Sequence, residues 1–140
     1  MEPQIETASP PIAVTREDHD RLADLAAAAS DRLPEVADRL SAELARARIV
    51  EKAAPALVTM GARVSFRDED SGAVRDVTLV YPKDQDLALG RLSVLTPVGT
   101  ALLGLTAGQS IPWKTRDGRW KTLTVVAAAH PAAASAGTEA

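Results

Sequence analysis

Apolar residues recur along this chain with two periods, and the change from one to the other divides it. Leu22, Leu25, Ala26 and Ala29 follow His19 at helical spacing, and Thr15 with Asp18 makes the Thr-x-x-Asp pattern of a helix start. Pro34 interrupts. Its ring biases Leu33 away from helix, while the proline itself suits the first turn of a new one. Ala37, Leu40, Leu44 and Ala47 then form a stripe with the spacing of a coiled-coil seam, and Ala53 to Pro55 closes the second helix. Two amphipathic helices joined around Asp31 to Leu33 predict an antiparallel hairpin. Each arm is about 15 to 19 residues, hence roughly 22 to 28 Å at 1.5 Å per residue. An alanine-rich pair of that length is marginal alone, so its base is expected to be anchored on the domain that begins after Pro55.

Beyond Pro55 the period becomes two. Arg63 to Arg67 puts Val64 and Phe66 on one face, and Asp70-Ser71-Gly72 supplies a turn. Val77, Leu79 and Tyr81 alternate in the next strand, which Pro82 ends; Lys83 to Leu89 is a polar loop. The stretch from Gly90 to Trp113 organises the rest. Leu92 and Val94 alternate with Arg91 and Ser93, and Thr96-Pro97 then offers a capping hydroxyl and a first-turn proline. A short apolar helix through Ala101, Leu102 and Leu103 ends at Gly104, which suits a left-handed conformation. Gly108 turns the chain into a strand from Ser110 to Lys114. Asp117-Gly118 signals a hairpin, and Trp120 to Val126 is the last strand. The fold class is α+β: a helical hairpin, then a small, mostly antiparallel sheet with one short helix. Periodicity orders the strands but does not pair them. Val64, Phe66, Leu79, Tyr81, Val94, Trp113 and Leu123 are expected to close the sheet's core among themselves.

Composition narrows the class. The 140 residues are 46% hydrophobic, enough for a core, and the absence of cysteine excludes disulfides and thiolate metal sites. A net charge of −3 gives no bulk electrostatic case for nucleic acid, so direct specific nucleic-acid binding is not expected. No apolar run reaches the roughly 20 residues that span a bilayer, and no signal-peptide pattern opens the chain, so a cytoplasmic protein is expected. Residues 1–11 read as a disordered leader, 12–54 as the hairpin, 55–128 as the sheet domain and 129–140 as a disordered tail rich in alanine.

LSVLTPVGTALLGLTAGQSI resembles the signature of the C-terminal domain of the bacterial transcript-cleavage factors, the Gre family. The likeness extends back through LARARIVEK, ARVSFRDEDSGAV and VTLVYPKD, each in family order, and covers roughly Ile12 to Val126. It is strongest toward the short branch, the regulators of nucleoside diphosphate kinase. That branch's hallmarks TLVYP and APVGAALLGL are similar to Thr78–Pro82 and Thr96–Leu105 here. The resemblance implies an FKBP-like sheet domain behind a shortened coiled coil. It implies binding to RNA polymerase near the secondary channel, in competition with cleavage factors. An interaction module acting on nucleoside diphosphate kinase or nucleotide metabolism, without direct polymerase binding, is the alternative.

The resemblance also sorts the candidate sites. In the cleavage factors two neighbouring acidic residues at the hairpin tip help hold a catalytic metal. Here the tip, Asp31, Arg32, Leu33, Pro34 and Glu35, separates its two carboxylates by three residues. No catalytic residue, metal or cofactor is therefore expected, and Asp31 and Glu35 have an ordinary use at a helix start. The family's strand-to-helix turn is implicated in holding the polymerase rim helices, which makes Leu95, Thr96, Pro97, Val98 and Gly99 the partner-binding candidates. Leu95 stands where the cleavage factors often carry Asp or Asn, and Gln109 replaces an Asp after Gly108. His19 and His130 have no partner that spacing predicts. Asp68, Glu69 and Asp70 read as a solvated turn, because nothing of an EF-hand follows them. Lys114, Arg116, Arg119 and Lys121 read as a solvated basic face with Trp113 and Trp120 turned to apolar neighbours. Four dispersed aromatics leave no deep pocket for prolyl isomerisation, and fold alone would not establish it.

Overall fold

The computed structural model describes residues 9–130. A short strand, β1 (Ala13–Thr15), runs directly into α1 (Arg16–Ala29), which Thr15 caps by accepting a hydrogen bond from the Asp18 N–H at 3.2 Å. After the turn at 30–33 comes α2 (Pro34–Arg46), with proline in its first turn as expected, and it packs back along α1. The arms are 14 and 13 residues, about 21 and 20 Å long, shorter than the sequence suggests. The second helix does not reach Ala53. Ala47 turns extended, and β2 (Arg48–Val50) pairs in parallel with β1, Val14 opposite Ile49. The branched Ile49 and Val50 suit an extended strand, and the Arg48 N–H donates to the Ile12 carbonyl at 3.0 Å.

The segment before β1 is tied down as well. Ile12 is buried, the Pro10 carbonyl accepts from Arg46 at 2.6 Å and the Pro11 carbonyl from Gln109 at 3.2 Å. Residues 10 and 11, assigned to the leader from the sequence, are thus held against the domain, while residues 1–8 and 131–140 lie outside the described part. At the other end, Ala129 belongs to the last strand rather than to the tail.

The five-stranded sheet contains β3 (Arg63–Asp68), β4 (Val74–Val80), β5 (Arg91–Ser93), β6 (Ser110–Lys114) and β7 (Trp120–Ala129) in the order β5-β4-β3-β7-β6. All pairs are antiparallel except β4 with β5. Pro112 sits in β6, an edge strand, the position in a sheet that tolerates a missing N–H. A register shift where β3 passes from Ser65 to Phe66 leaves Val126 as an extra, exposed residue of β7. The polar loop after β4 contains two 3₁₀ turns, Pro82–Asp84 and Leu87–Leu89. α3 (Pro97–Leu102) follows β5, and Gly104 takes φ +82° just beyond it, where a side chain would be strained.

The core is one cluster. Val64, Phe66, Leu79, Val94 and Leu123 are buried as expected, but Leu22, Leu40 and Leu44 from the helices join them, and Tyr81 and Trp113 stand at the margin. The tryptophans part company. β6 and β7 pair Trp113 with Lys121 and Lys114 with Trp120, so the two indoles face opposite sides of the sheet. Trp113 packs against the core with the Lys121 ammonium 5.9 Å from its ring centre, whereas Trp120 is 58% exposed. The expectation of two inward tryptophans is therefore corrected: strand alternation admits only one.

Two polar ties join hairpin and sheet. Glu43 is buried in α2, 2.8 Å from Arg46 and 3.3 Å from Arg39, and Arg39 also donates to the Pro112 carbonyl at 3.3 Å. At the start of α1, also at the base of the hairpin, the Asp18 carboxylate accepts the Met60 N–H at 3.1 Å. Burial pushes the Asp18 carboxyl above its ordinary value of 3.8, against the pull of the hydrogen bonds from Met60 and Thr15. The folded state thus holds that proton more tightly than the unfolded chain. This contribution to stability is complete below the unfolded value and is lost as pH rises through the raised one. Asp18→Asn keeps an acceptor for Met60 but cannot ionise. Urea unfolding across this window should show the wild type losing stability relative to Asp18→Asn as pH rises. Parallel curves would refute the linkage.

Candidate functional site

The turn from β5 into α3 is built by hydroxyls. Ser93 Oγ accepts from the Leu95 N–H at 3.0 Å. Thr96 Oγ1 donates to the Ser93 carbonyl at 2.8 Å and accepts from the Gly99 N–H at 3.0 Å, the cap anticipated from Thr96-Pro97. Thr100 Oγ1 donates to the Val94 carbonyl at 2.6 Å. These bonds press α3 onto β5 so closely that a Cβ on Gly99 would lie 2.2 Å from the Ser93 carbonyl oxygen. Gly99 and Leu95 are buried; Thr96, Pro97 and Val98 are half-buried. Of the five candidates, three therefore retain accessible surface beyond a trace.

At the hairpin tip the Leu33 N–H donates to the Ala29 carbonyl at 2.8 Å, closing the turn, and the Leu33 carbonyl accepts from Ala37 at 2.8 Å. All five tip residues are exposed. Glu35 lies in the first turn of α2, where its charge favours the helix; Asp31 lies outside that turn. Among the described residues no group of three or more acidic or histidine side chains converges to hold a metal ion. The acidic turn after β3 is engaged in local pairing: Lys121 holds the Asp68 carboxyl below the ordinary range, with the Asp70 N–H assisting. Glu69 is lowered chiefly by the Thr124 hydroxyl and then by Arg67.

The tip and the turn, more than 60 residues apart in sequence, meet. An open cleft of about 370 Å³ has Leu25, Ala28 and Ala29 of α1 with Leu33 on one side and Leu95 and Thr96 on the other. Pro82, Gln85 and Ser93 complete it, together with two arginines, Arg32 of the tip and Arg116 beyond β6. Gln85 is fixed there by accepting the Ser93 N–H at 3.1 Å. Sequence reasoning singles out Arg32, Leu33, Leu95 and Thr96 but misses Leu25, Ala28, Pro82, Gln85 and Arg116 as parts of a site. Pro82 reads as a strand terminator and Arg116 as a solvated charge, and no local pattern joins either to the hairpin. A second cleft, about 300 Å³, adjoins Asp18, Arg21, Met60 and Tyr81. There burial raises the Tyr81 phenol, and the Asp18 charge adds to the rise.

Comparison with known proteins places this architecture. The family model described as transcription elongation factor, GreA/GreB, C-terminal, matches residues 53–130, and the Rnk N-terminus model matches residues 10–50. A regulator of nucleoside diphosphate kinase from Escherichia coli K12 is 47% identical over 85 residues, which are 59% of this chain and 62% of that protein. The match thus spans less than two thirds of that relative's length. A transcription elongation factor GreA from Nitratidesulfovibrio vulgaris is 46% identical over 54 residues, 39% of this chain and 34% of that one. Among solved structures, a prokaryotic transcription elongation factor GreA/GreB from Nitrosomonas europaea superposes with a TM-score of 0.66 at 40% identity, covering 86% of this chain and 99% of that one. The mixed α+β fold, the match across residues 53–130 and the near-complete coverage of that structure agree: this chain belongs to the GreA/GreB C-terminal family.

Proposed function

We propose that the chain is a non-catalytic transcription regulator that binds RNA polymerase near its secondary channel and competes there with transcript-cleavage factors. The observation that carries this reading is the meeting of the hairpin tip with the strand-to-helix turn in one cleft. Leu95 and Thr96 of the turn line that cleft with Arg32 and Leu33 of the tip, and Pro97 and Val98 continue the accessible surface of the turn outside it. In this reading residues 12–54 are a short coiled coil and 55–128 an FKBP-like domain. A hairpin of about 20 Å serves to occupy an entrance rather than to deliver carboxylates deep into an enzyme. Competition of this kind needs only overlapping surface, and no chemistry at the tip. The relatives are named as regulators or factors, which is consistent with that division of labour. Among the described residues no helix is long and apolar enough to cross a membrane, and a cytoplasmic site of action fits a polymerase partner.

The test is retention of the purified chain on immobilised core polymerase and its displacement by a cleavage factor; no retention and no competition would overturn the reading. Changing Asp31 and Glu35 together to alanine should leave binding and transcript cleavage at their starting values. Loss of a measurable cleavage would instead make the tip catalytic. A second reading, regulation of nucleoside diphosphate kinase without polymerase contact, is favoured by the 47% identity to the Escherichia coli regulator. Pro97→Glu separates the two: kinase levels that respond normally when polymerase binding is lost would favour the second.

A further inference from the structure

We infer that the cleft between the hairpin tip and the strand-to-helix turn is a composite docking site for an acidic amphipathic protein segment, seated with an aliphatic face between Leu33 and Leu95 and carboxylates on Arg32 and Arg116. The inference rests on the polymerase reading only for the identity of the partner; the chemistry of the occupant is read from the cleft itself.

Three observations converge. The walls are aliphatic: Leu25 and Ala28 supply the open surface of one wall, and the nearly buried Ala29 and Leu95 (8% exposed) form the floor between the jaws. Leu33 is left 41% exposed at the tip although nothing in the turn requires a large apolar residue there. An aliphatic side chain inserted between such walls removes apolar surface from water on both partners. Next, Arg32 and Arg116 line the cleft and make no ion pair or hydrogen bond among the described residues. Six other arginines are engaged: Arg16 with Glu51, Arg21 with Glu17, Arg39 and Arg46 with Glu43, Arg67 with Glu69 and Arg119 with Asp117. The remaining arginine side chains without a partner among the described residues, Arg48, Arg63, Arg75 and Arg91, line no part of this cleft. A chain of net charge −3 thus keeps two unpaired guanidinium groups at one apolar cleft. Guanidinium is suited to paired recognition of carboxylates. Finally, the site is rigid on both sides. Gln85 and the Ser93–Thr96 hydroxyl network fix the turn, and the Leu33–Ala29 bond closes the tip. A preformed cleft loses little freedom on binding.

The same features argue against a nucleic-acid strand. Phosphate contacts would suit the arginines, but no aromatic side chain lines the cleft to stack a base, and its aliphatic walls have nothing to gain from a sugar–phosphate backbone. The hairpin therefore acts as one jaw of a clamp whose other jaw is the turn. Neither jaw suffices alone, because Arg32 comes from the hairpin while Leu95, and Arg116 beyond β6, come from the sheet domain.

The experiment uses the full chain in two arms. In the first, backbone amide shifts are followed by NMR while adding a helical peptide with leucines four residues apart flanked by glutamates, its lysine-substituted counterpart, or a single-stranded oligoribonucleotide. Shifts at Arg32, Leu33, Leu95 and Thr96 with the glutamate peptide alone are expected. Equal response to the lysine peptide, response to the oligonucleotide instead, or no response at all would overturn the inference. In the second arm, Arg32→Glu with Arg116→Glu, and separately Ala28→Trp, which fills the slot from an exposed helix position, are tested for retention on core polymerase. Each should weaken retention roughly tenfold while Arg75→Glu, outside the cleft, leaves it unchanged. Unaltered melting temperatures establish that the variants fold. If the wild type is not retained at all, the polymerase reading fails and the peptide arm alone decides the cleft. If the wild type is retained and all variants bind equally, polymerase binds elsewhere and the cleft assignment is wrong.

Discussion

Gly99→Ala should cost at least about 3 kcal/mol of folding stability, the upper part of the range for overpacking a closed site. The methyl group would sit 2.2 Å from the Ser93 carbonyl oxygen, 2.9 Å from Thr96 Oγ1 and 3.0 Å from the Ser93 carbonyl carbon. Two of those three atoms, the closest included, are backbone of β5, which pairs with β4, so a rotation of the Thr96 side chain cannot relieve the clash. Relief requires α3 to lift from the sheet, which would open the contacts of the buried Ala101 and Leu102. Thr96→Ala is the natural benchmark. It removes the cap from the same helix and should cost about 1 kcal/mol. Urea denaturation of both variants decides the matter: losses of the same size would mean that the Ser93 peptide yields and that the approach of α3 to β5 is not fixed.

Glu43→Ala should cost about 2 to 3 kcal/mol, less than the 3 to 5 typical of a broken buried pair. The glutamate side chain is only 8% exposed, but Arg39 and Arg46 are 30% and 32% exposed and can turn toward water when it is gone. What is lost is the hub between them, and with it the geometry that aims Arg39 at the Pro112 carbonyl and Arg46 at the Pro10 carbonyl. Glu43→Leu should recover much of the loss, because it refills the space and leaves the arginines free to solvate. Glu17→Ala, which removes an exposed partner of Arg21, should change stability by well under about 1 kcal/mol. If Glu43→Ala were as mild as Glu17→Ala in urea unfolding, the network would be decoration rather than a joint.

These two sites mark where sequence is readable and where it is not. The helix start at Thr15, the proline opening α2, the cap at Thr96 and the positive φ of Gly104 are all decided within four or five residues, and local pattern finds them. β1 and β2 escape it because three residues are too few for a period of two to show. The end of α2 is overestimated for the same reason: nothing local says that Arg48–Val50 will find Ala13–Thr15. Trp120 is misplaced because facing depends on register with β6, which alternation within one strand does not fix. The cleft is legible only in halves. Arg32, Leu33, Leu95 and Thr96 draw attention through family likeness, whereas Pro82, Gln85 and Arg116 join them through tertiary packing alone. Glu43 reads as one more helix charge, and only the fold brings Pro112 and Pro10 within reach of the two arginines that flank it.

The parallel pair of β1 and β2 brackets the hairpin, since α1 leaves from one strand and α2 returns into the other. Such a clasp separates the length of the arms from the way they are attached. A heptad added to each arm would raise the tip by about 10 Å without disturbing either strand. The same insertion would carry Arg32 and Leu33 past Leu95 and Thr96, taking one wall from the cleft while extending the probe. Arm length is thus a single dial with two opposed settings, clamping at the short end and reaching at the long end, and this chain is set to clamp.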